Sequence, residues 1–259
     1  MKKAVMILCD GMRPDAMLQC GNPYVTELLN ESKYTLEART VWPSVTLPCH
    51  MSLFHSVDPE RHGTTDNVYM RQVRPIRGLI DKLAKCKKKN GMFYSWEELR
   101  DVCRFDRLDE SYMYSLHNHG YDYRDVDKTV TDRAIEYIGR RKPDFVFLYL
   151  CGPDDIGHGS GWMSQDYLDS ISFDFDQIKR VRESLTDDYF TVVLADHGGH
   201  GRSHGSTDPE DMTIPVIFTG KDFAPGKFEG DVNIKDIAPT VAKLLEVENE
   251  PEWEGRFLF

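Results

Sequence analysis

Four uninterrupted apolar runs constrain this fold more than any other feature: Ala4–Cys9, Phe145–Cys151, Tyr189–Ala195 and Ile214–Thr219. A strand with one solvated face alternates apolar and polar residues. A continuous apolar run requires cover on both faces. Between these runs lie helical patterns. Asn22–Ser32 has Asn22 as N-cap and Pro23 at the first helical position; Pro48–Val57, Ile76–Lys88, Glu97–Arg104, Val126–Arg141 and Tyr167–Leu185 follow. Ile234–Leu245 reads as a closing helix that Pro239 kinks or breaks early. Leu36–Val41 and Gly91–Trp96 read as further strands. The expectation is an α/β fold with a mostly parallel central sheet and helices on both faces. Such sheets bind ligands beyond the carboxyl ends of their strands. Asp10 follows the first run, Asp154 and His158 the second, and Asp196 and His197 the third.

The chain has 259 residues, 40% hydrophobic and 29% charged, enough for one large domain with a sizeable core. A formal net charge of -11 and a pI near 5.3 argue against a nucleic-acid polymer or an anionic membrane as partner. The one basic run, Lys85–Lys89, ends a helical pattern and suits its C-terminal dipole. Six cysteines without a C-x-x-C pair point to a reducing compartment and away from a cysteine metal site. The apolar run after Met1-Lys2-Lys3 is too short for a signal peptide, and no stretch reaches transmembrane length, so a cytoplasmic location is expected.

Each candidate site residue also has an ordinary reading. Asp10 can cap a helix, serve structurally or bind a ligand. Asp154 and His158, four apart, share one face of a helical turn and can reach one ion, or act as a cap and a surface histidine. Thr46 stands before Pro48 where a hydroxyl caps a helix. It can also be a nucleophile, with the helix start favouring a phosphate beside it. Asn67, in the turn-rich Asp58–Asn67, can donate its amide to a phosphoryl oxygen or simply form the turn. Residues 195–205, A-D-H-G-G-H-G-R-S-H-G, set Asp196, His197, His200 and His204 in a glycine-rich loop suited to a divalent metal such as zinc.

Taken in order, these segments resemble the alkaline phosphatase superfamily, nearest its type I phosphodiesterase/nucleotide pyrophosphatase branch. The matching elements are D-G-x-R-x-D at Asp10–Asp15, T-x-P at Thr46–Pro48, P-E-x-H-G-x-x-x-N at Pro59–Asn67, P-D-x-x-G-H at Pro153–His158, and D-H-G then H-G within Asp196–Gly205. Asp236–Thr240 also resembles this group. The resemblance implies one alkaline-phosphatase-like catalytic domain over residues 1–259, with a minimal cap and a small excursion near 104–125. It implies two divalent ions. Asp154, His158 and His204 would hold one; Asp10, Asp196 and His197 would hold the other, with Thr46 approaching it as nucleophile and Asn67 binding phosphoryl oxygens. His204 matches the last ligand better than His200, which would instead hold a ligand in position. Zinc suits three histidines; manganese is the alternative.

The implied activity is hydrolysis of a small phosphate ester, such as a nucleotide, through a phosphothreonine intermediate. Phosphomonoesterase, phosphonate hydrolase and a catalytically silent metal-binding homologue are the alternatives. A phosphomutase is disfavoured because those relatives usually carry an extra cap domain. Leu47-Pro48-Cys49 stands where the branch often has Phe-Pro-Asn. His50 stands where sulfatases carry an arginine, against sulfatase chemistry. The aromatic stretch Tyr112–Tyr123 offers a wall on which a nucleobase would stack, or a packed surface excursion.

Overall fold

A computed structural model describes residues 2–117 and 122–259. Its strands are β1 (Lys3–Cys9), β2 (Ser32–Arg39), β3 (Asn90–Tyr94), β4 (Glu110–Met113), β5 (Phe145–Leu150), β6 (Tyr189–Leu194), β7 (Thr213–Thr219) and β8 (Gly226–Lys227). They form one sheet in the order β4-β3-β5-β1-β6-β7-β2-β8. Only β7 runs antiparallel to its neighbours, β6 and β2. The helices are α1 (Pro14–Gln19), α2 (Pro23–Asn30), α3 (Thr46–His55), α4 (Pro59–His62), α5 (Leu79–Lys85), α6 (Tyr123–Arg141), α7 (Gly152–Ser160), α8 (Gln165–Glu183), α9 (Pro209–Met212) and α10 (Ile237–Leu244). Among the described residues no helix is long and apolar enough to cross a membrane.

The apolar runs are the central strands, and β5 and β6 are buried at every residue. Side chains show which helix covers which face. Phe147 of β5 packs edge-on against Phe54 of α3, ring centroids 5.0 Å apart. On β3, Gly91 pairs in register with Val146, the residue before Phe147, and its face lies against Tyr137 of α6. Successive residues of a strand face opposite ways, so α3 and α6 cover opposite faces. Helices α1, α2, α6 and α7 pack with α8, while α5 and α10 pack with α3.

Several boundaries differ from the sequence reading. The second strand is Ser32–Arg39, not Leu36–Val41, and the preceding helix stops at Asn30. Near the sheet edge, beside the two-residue β8, this strand is only partly covered and accepts Lys33, Thr35 and Glu37. Arg39 and Thr40 then turn their N–H groups to Val232 and Met212. Where an α-helix over Glu97–Arg104 was expected, Glu97–Asp101 form a 3₁₀ helix and residues 102–104 none. Helix α3 begins at Thr46, two residues before Pro48. Pro239 neither kinks nor breaks α10. It is the third helical residue, where no intrahelical partner awaits an N–H. Asn22 caps α2 as expected, accepting from Tyr24 N at 2.9 Å. All six cysteines are free.

Ile7, at the centre of β1, is completely buried. Replacing it with alanine should cost roughly 2–5 kcal/mol, read as a lowered urea midpoint with an unchanged slope.

Candidate active site

The register of three parallel strands assembles the candidate residues. Cys9 of β1 pairs with Leu150 of β5, and Leu8 pairs with Leu194 of β6. Asp10, the start of α7 and the Asp196–His197 pair therefore leave the sheet side by side. Two groups result, each with potential ligand atoms within 4.8 Å of one another: Asp154, His158 and His204, and Asp10, Asp196 and His197. In the first, Asp154 Oδ2 lies 3.5 Å from His158 Nε2 and Oδ1 lies 3.5 Å from His204 Nε2. In the second, His197 Nε2 lies 3.3 Å from Asp10 Oδ1 and 3.4 Å from Asp196 Oδ2. The His197 and His204 rings stack at 3.8 Å between centroids, tilted by 14°, and join the groups.

Backbone carbonyls fix the tautomers. Nδ1 of His158, His197 and His204 meets the carbonyls of Arg202, Gly198 and Ser44 at 3.0, 2.8 and 2.9 Å. A carbonyl only accepts, so each Nδ1 carries a proton, and in the neutral ring Nε2 then offers a lone pair to the site. Those lone pairs face carboxylate oxygens, a repulsive arrangement without a cation between them. Asp10 Oδ1, Asp154 Oδ1 and Asp196 Oδ2 are buried without a hydrogen-bond partner. Burial, then repulsion from Asp196, raises the Asp10 pKa well above the carboxylate range. Burial, then Asp10, does the same to Asp154. Burial also pushes Asp196 up to about 7 and His204 down to about 3. The donor set and its unmet charge fit two divalent cations.

Thr46 opens α3, buried, with Oγ1 3.1 Å from His197 Nε2. Asn67 Oδ1 accepts the Leu47 N–H at 3.0 Å, which turns its NH₂ group into the donor left for a ligand. That bond also occupies the Leu47 N–H. Pro48 has none, so the helix-start donors expected from the sequence reduce to the Thr46 N–H. His200 stands apart from both groups. Its Nδ1 bonds Asp211 Oδ1 at 2.8 Å, and Asp211 also accepts the Ser206 N–H. Ser206 O in turn accepts from Ser44 Oγ at 2.8 Å. His200 thus braces the loop that presents His204.

Other residues near the site were not singled out from sequence. The Tyr149 hydroxyl donates to Asp10 Oδ2. His50, fully buried, donates from Nδ1 to Thr46 O at 2.8 Å and lies 3.5 Å from Asp196; burial lowers its pKa to about 3, so it faces Asp196 uncharged. Gly11 takes a left-handed turn, φ 66°, and donates to Asp196 Oδ1 at 3.2 Å. Its carbonyl accepts from Trp162 Nε1 and the Tyr167 hydroxyl at 2.9 and 2.8 Å. Asp127, from α6, accepts the N–H groups of Cys151 and Gly152 at 2.9 Å each. It caps α7, whose own N-cap side chain makes no such bond. A Cβ on Gly152 would stand 2.6 Å from Tyr123 Cδ2, so only glycine permits this close approach. Asp174, buried beside Asp127, has its pKa raised well above normal by burial and then by Asp127. A lone aspartate in an amphipathic helix gives no sequence signal for such capping across elements.

Both groups border a cavity of about 290 Å³, lined also by Thr46, Asn67, Ser95, Trp96, His117 and Asp155. The aromatic stretch does not form its wall as a unit. Tyr112 packs on Phe93 beneath the Arg133 guanidinium, and Tyr123 is buried against Phe173. Asn118–Tyr121 lie outside the described residues. Leu116 and His117 reach the cavity; Trp96, from a different segment, supplies its indole.

A model of the type I phosphodiesterase / nucleotide pyrophosphatase family matches residues 4–85, which hold Asp10, Thr46 and Asn67. The Metalloenzyme superfamily matches residues 109–249, which hold the other five candidates. A 2,3-bisphosphoglycerate-independent phosphoglycerate mutase of Haloquadratum walsbyi is 30% identical over 50% of this chain and 27% of its own length. The human GPI ethanolamine phosphate transferase 2 catalytic subunit is 25% identical over 99% of this chain and 28% of its own. The chain thus spans little more than a quarter of these curated relatives. Among solved structures, murine ectonucleotide pyrophosphatase / phosphodiesterase 5, an inactive threonine-to-alanine variant in complex with AMP, superposes with a TM-score of 0.79 at 14% identity, covering 97% of this chain and 96% of that one. At that identity the likeness shows the fold.

Two outcomes follow from the site's geometry. Asp127→Asn keeps the size of the capping side chain but turns one of its two accepting oxygens into an NH₂ group, so one of the Cys151 and Gly152 N–H groups loses its partner. It should weaken zinc at the Asp154, His158 and His204 group roughly 10- to 100-fold in a calorimetric titration, with the folded circular dichroism spectrum retained. In chelated protein, the folded state holds protons on Asp196, Asp10 and Asp154 that the unfolded chain has lost. Above pH 6.5 the depressed His50 and His204 are largely neutral in both states. Stability of the chelated protein should therefore fall as pH rises from 6.5 to about 8. Urea midpoints across that window test this; a rise would contradict it.

Proposed function

We propose, since the chain belongs to the alkaline phosphatase superfamily on its type I phosphodiesterase/nucleotide pyrophosphatase branch, that it is a metal-dependent phosphoryl-transfer enzyme that hydrolyses small phosphate esters through Thr46. The observation that carries this reading is the Thr46 hydroxyl, held at a helix start beside one carboxylate–imidazole group and one ring stack from the second. Asp10, Asp196 and His197 would hold one divalent ion, and Asp154, His158 and His204 the other. Zinc is the first choice for a site with three histidines, and manganese the alternative. When bound, the ions supply the positive charge that a buried hydroxyl needs to become a nucleophile and that a departing oxygen needs to leave.

The chain's own groups do the rest. The Thr46 N–H and the Asn67 NH₂ hold non-bridging oxygens. Thr46 Oγ gives up its proton and bonds to phosphorus as the ester P–O bond opposite it breaks; the departing oxygen takes up a proton and leaves as the alcohol, and the phosphoryl group stays on Thr46. Attack by water then breaks the Thr46–phosphorus bond and restores the hydroxyl. His50 and the Asn67 Oδ1 bond keep the first turn of α3 in place. The murine relative is solved with AMP, which supports a nucleotide-sized or smaller substrate. Six free thiols, four of them buried, support a reducing compartment.

One observation favours a second reading. The human transferase aligns over nearly the whole chain, and a Thr46 phosphoester is equally open to an alcohol acceptor. Product analysis with and without added alcohols separates hydrolysis from transfer.

Zinc-loaded protein should hydrolyse aryl phosphate mono- or diesters. Thr46→Ala should reduce turnover at least roughly 10³-fold, and acid quenching of the wild type should trap a phosphoryl group on Thr46. Activity that survives both exhaustive chelation and Thr46→Ala overturns the proposal.

A further inference from the structure

A separate pocket of about 530 Å³ lies between residues 69–76 and residues 100–106, and it shares no lining residue with the cavity of Thr46 and Asn67. Its charges are unevenly matched. Asp101 meets Arg100 at 3.4 Å, and Asp81 and Asp106 meet Arg107 at 3.6 and 3.4 Å. Arg71 and Arg104 also line the pocket, and among the described residues neither guanidinium has a hydrogen bond or an ion pair. These four arginines outnumber the three aspartates, so the pocket is cationic in a chain of net charge -11. Tyr69 and Phe105, 37% and 57% exposed, line it too, and among the described residues neither ring has an aromatic partner. Large apolar side chains left in water beside unpaired cations mark an interaction site. Gln72 Oε1 accepts the Ile76 N–H at 2.8 Å, which leaves the Gln72 NH₂ group to donate.

We propose that this pocket is a second ligand site, apart from the metal-facing groups, for an anion that carries one phosphate on a flat heterocycle. Guanidinium groups pair with phosphate through parallel N–H bonds and hold their charge at every working pH. Arg71 and Arg104 are free to do so. Tyr69 and Phe105 give a heterocycle faces to stack on, and the Gln72 NH₂ donates to one of its ring nitrogens or carbonyl oxygens. Both halves of such a ligand are needed. Phosphate alone leaves the rings in water, and an uncharged nucleoside leaves the arginines unmatched. The excess of one positive charge suits a single phosphate, whereas a triphosphate brings its further charges against Asp81, Asp101 and Asp106. The volume lies within the range for ligand pockets, about 300–1,000 Å³. The occupant also touches the two elements that present the reacting groups. Met51 and His55 line the pocket from α3, which begins at Thr46, and Tyr69 stands two residues after Asn67.

The test is a calorimetric titration of the full chain with AMP, inorganic phosphate and adenosine, in the presence of a chelator. Chelation removes the ions that would hold AMP at the other cavity, and no turnover enters the readout, so the result is independent of the phosphoryl-transfer reading. AMP should bind once per chain, at least about ten-fold more tightly than phosphate or adenosine. Arg71→Gln and Arg104→Gln break no bond within the fold, and each should weaken AMP about ten-fold with the circular dichroism spectrum unchanged. Phe105→Ser should weaken it by a similar factor. With AMP bound, backbone N–H groups of residues 69–76 and 100–106 should exchange with solvent more slowly. No binding at millimolar AMP, phosphate bound as tightly as AMP, or an AMP affinity that neither arginine substitution moves overturns the proposal.

Discussion

Three carboxylates at one edge of a parallel sheet, Asp10 and Asp196 fully buried and Asp154 partly so, are the constraint around which the rest of this molecule is arranged. Asp10, Asp154 and Asp196 come together because β1 lies in register between β5 and β6. Left to themselves they repel, and each keeps an oxygen without a partner. Among the described residues no lysine or arginine pairs with them. The surroundings supply neutral imidazoles with lone pairs turned inward, one N–H from Gly11 and one hydroxyl from Tyr149. That pattern is costly for an empty pocket and favourable around cations. It also explains the firm local framework: Trp162 and Tyr167 clamp the Gly11 carbonyl, and Asp127 clamps the start of α7.

The sheet and the grouping of residues were readable from the chain because both rest on local signals. Continuous apolar runs must be covered on both faces, and polar residues at their carboxyl ends must meet if the strands are neighbours. The order of the motifs added the partition into two groups and the preference for His204. What was not readable depends on contacts between distant segments. Ser32–Arg39 is polar enough to pass for a loop, and only its place near the sheet edge makes it a strand. Pro239 looked like a breaker because its distance from the helix start could not be counted before the start was known. Asp127 and Trp96 carry no motif; their roles arise from where α6 and the β3 loop come to rest. Of the two readings of Tyr112–Tyr123, the packed excursion holds for Tyr112 and Tyr123, which pack inward or against arginine rather than toward the cavity.

The two walls of the cavity differ in kind. One is built on strand ends and helix starts and is closely braced. The other is carried by the turns after β3 and β4, joined through Glu97. A rigid reacting centre facing a loop-borne wall is an arrangement in which substituents can be exchanged by changing a few loop residues without disturbing the centre.

The carbonyl of Ser44 receives Nδ1 of His204, and Ser44 stands two residues before Thr46. Nucleophile and histidine are thus riveted to the same short piece of backbone, while His197, stacked on His204, meets the Thr46 hydroxyl from the other side. Mechanically this is a single jaw. A swing of Thr46 pulls on the backbone whose carbonyl holds His204.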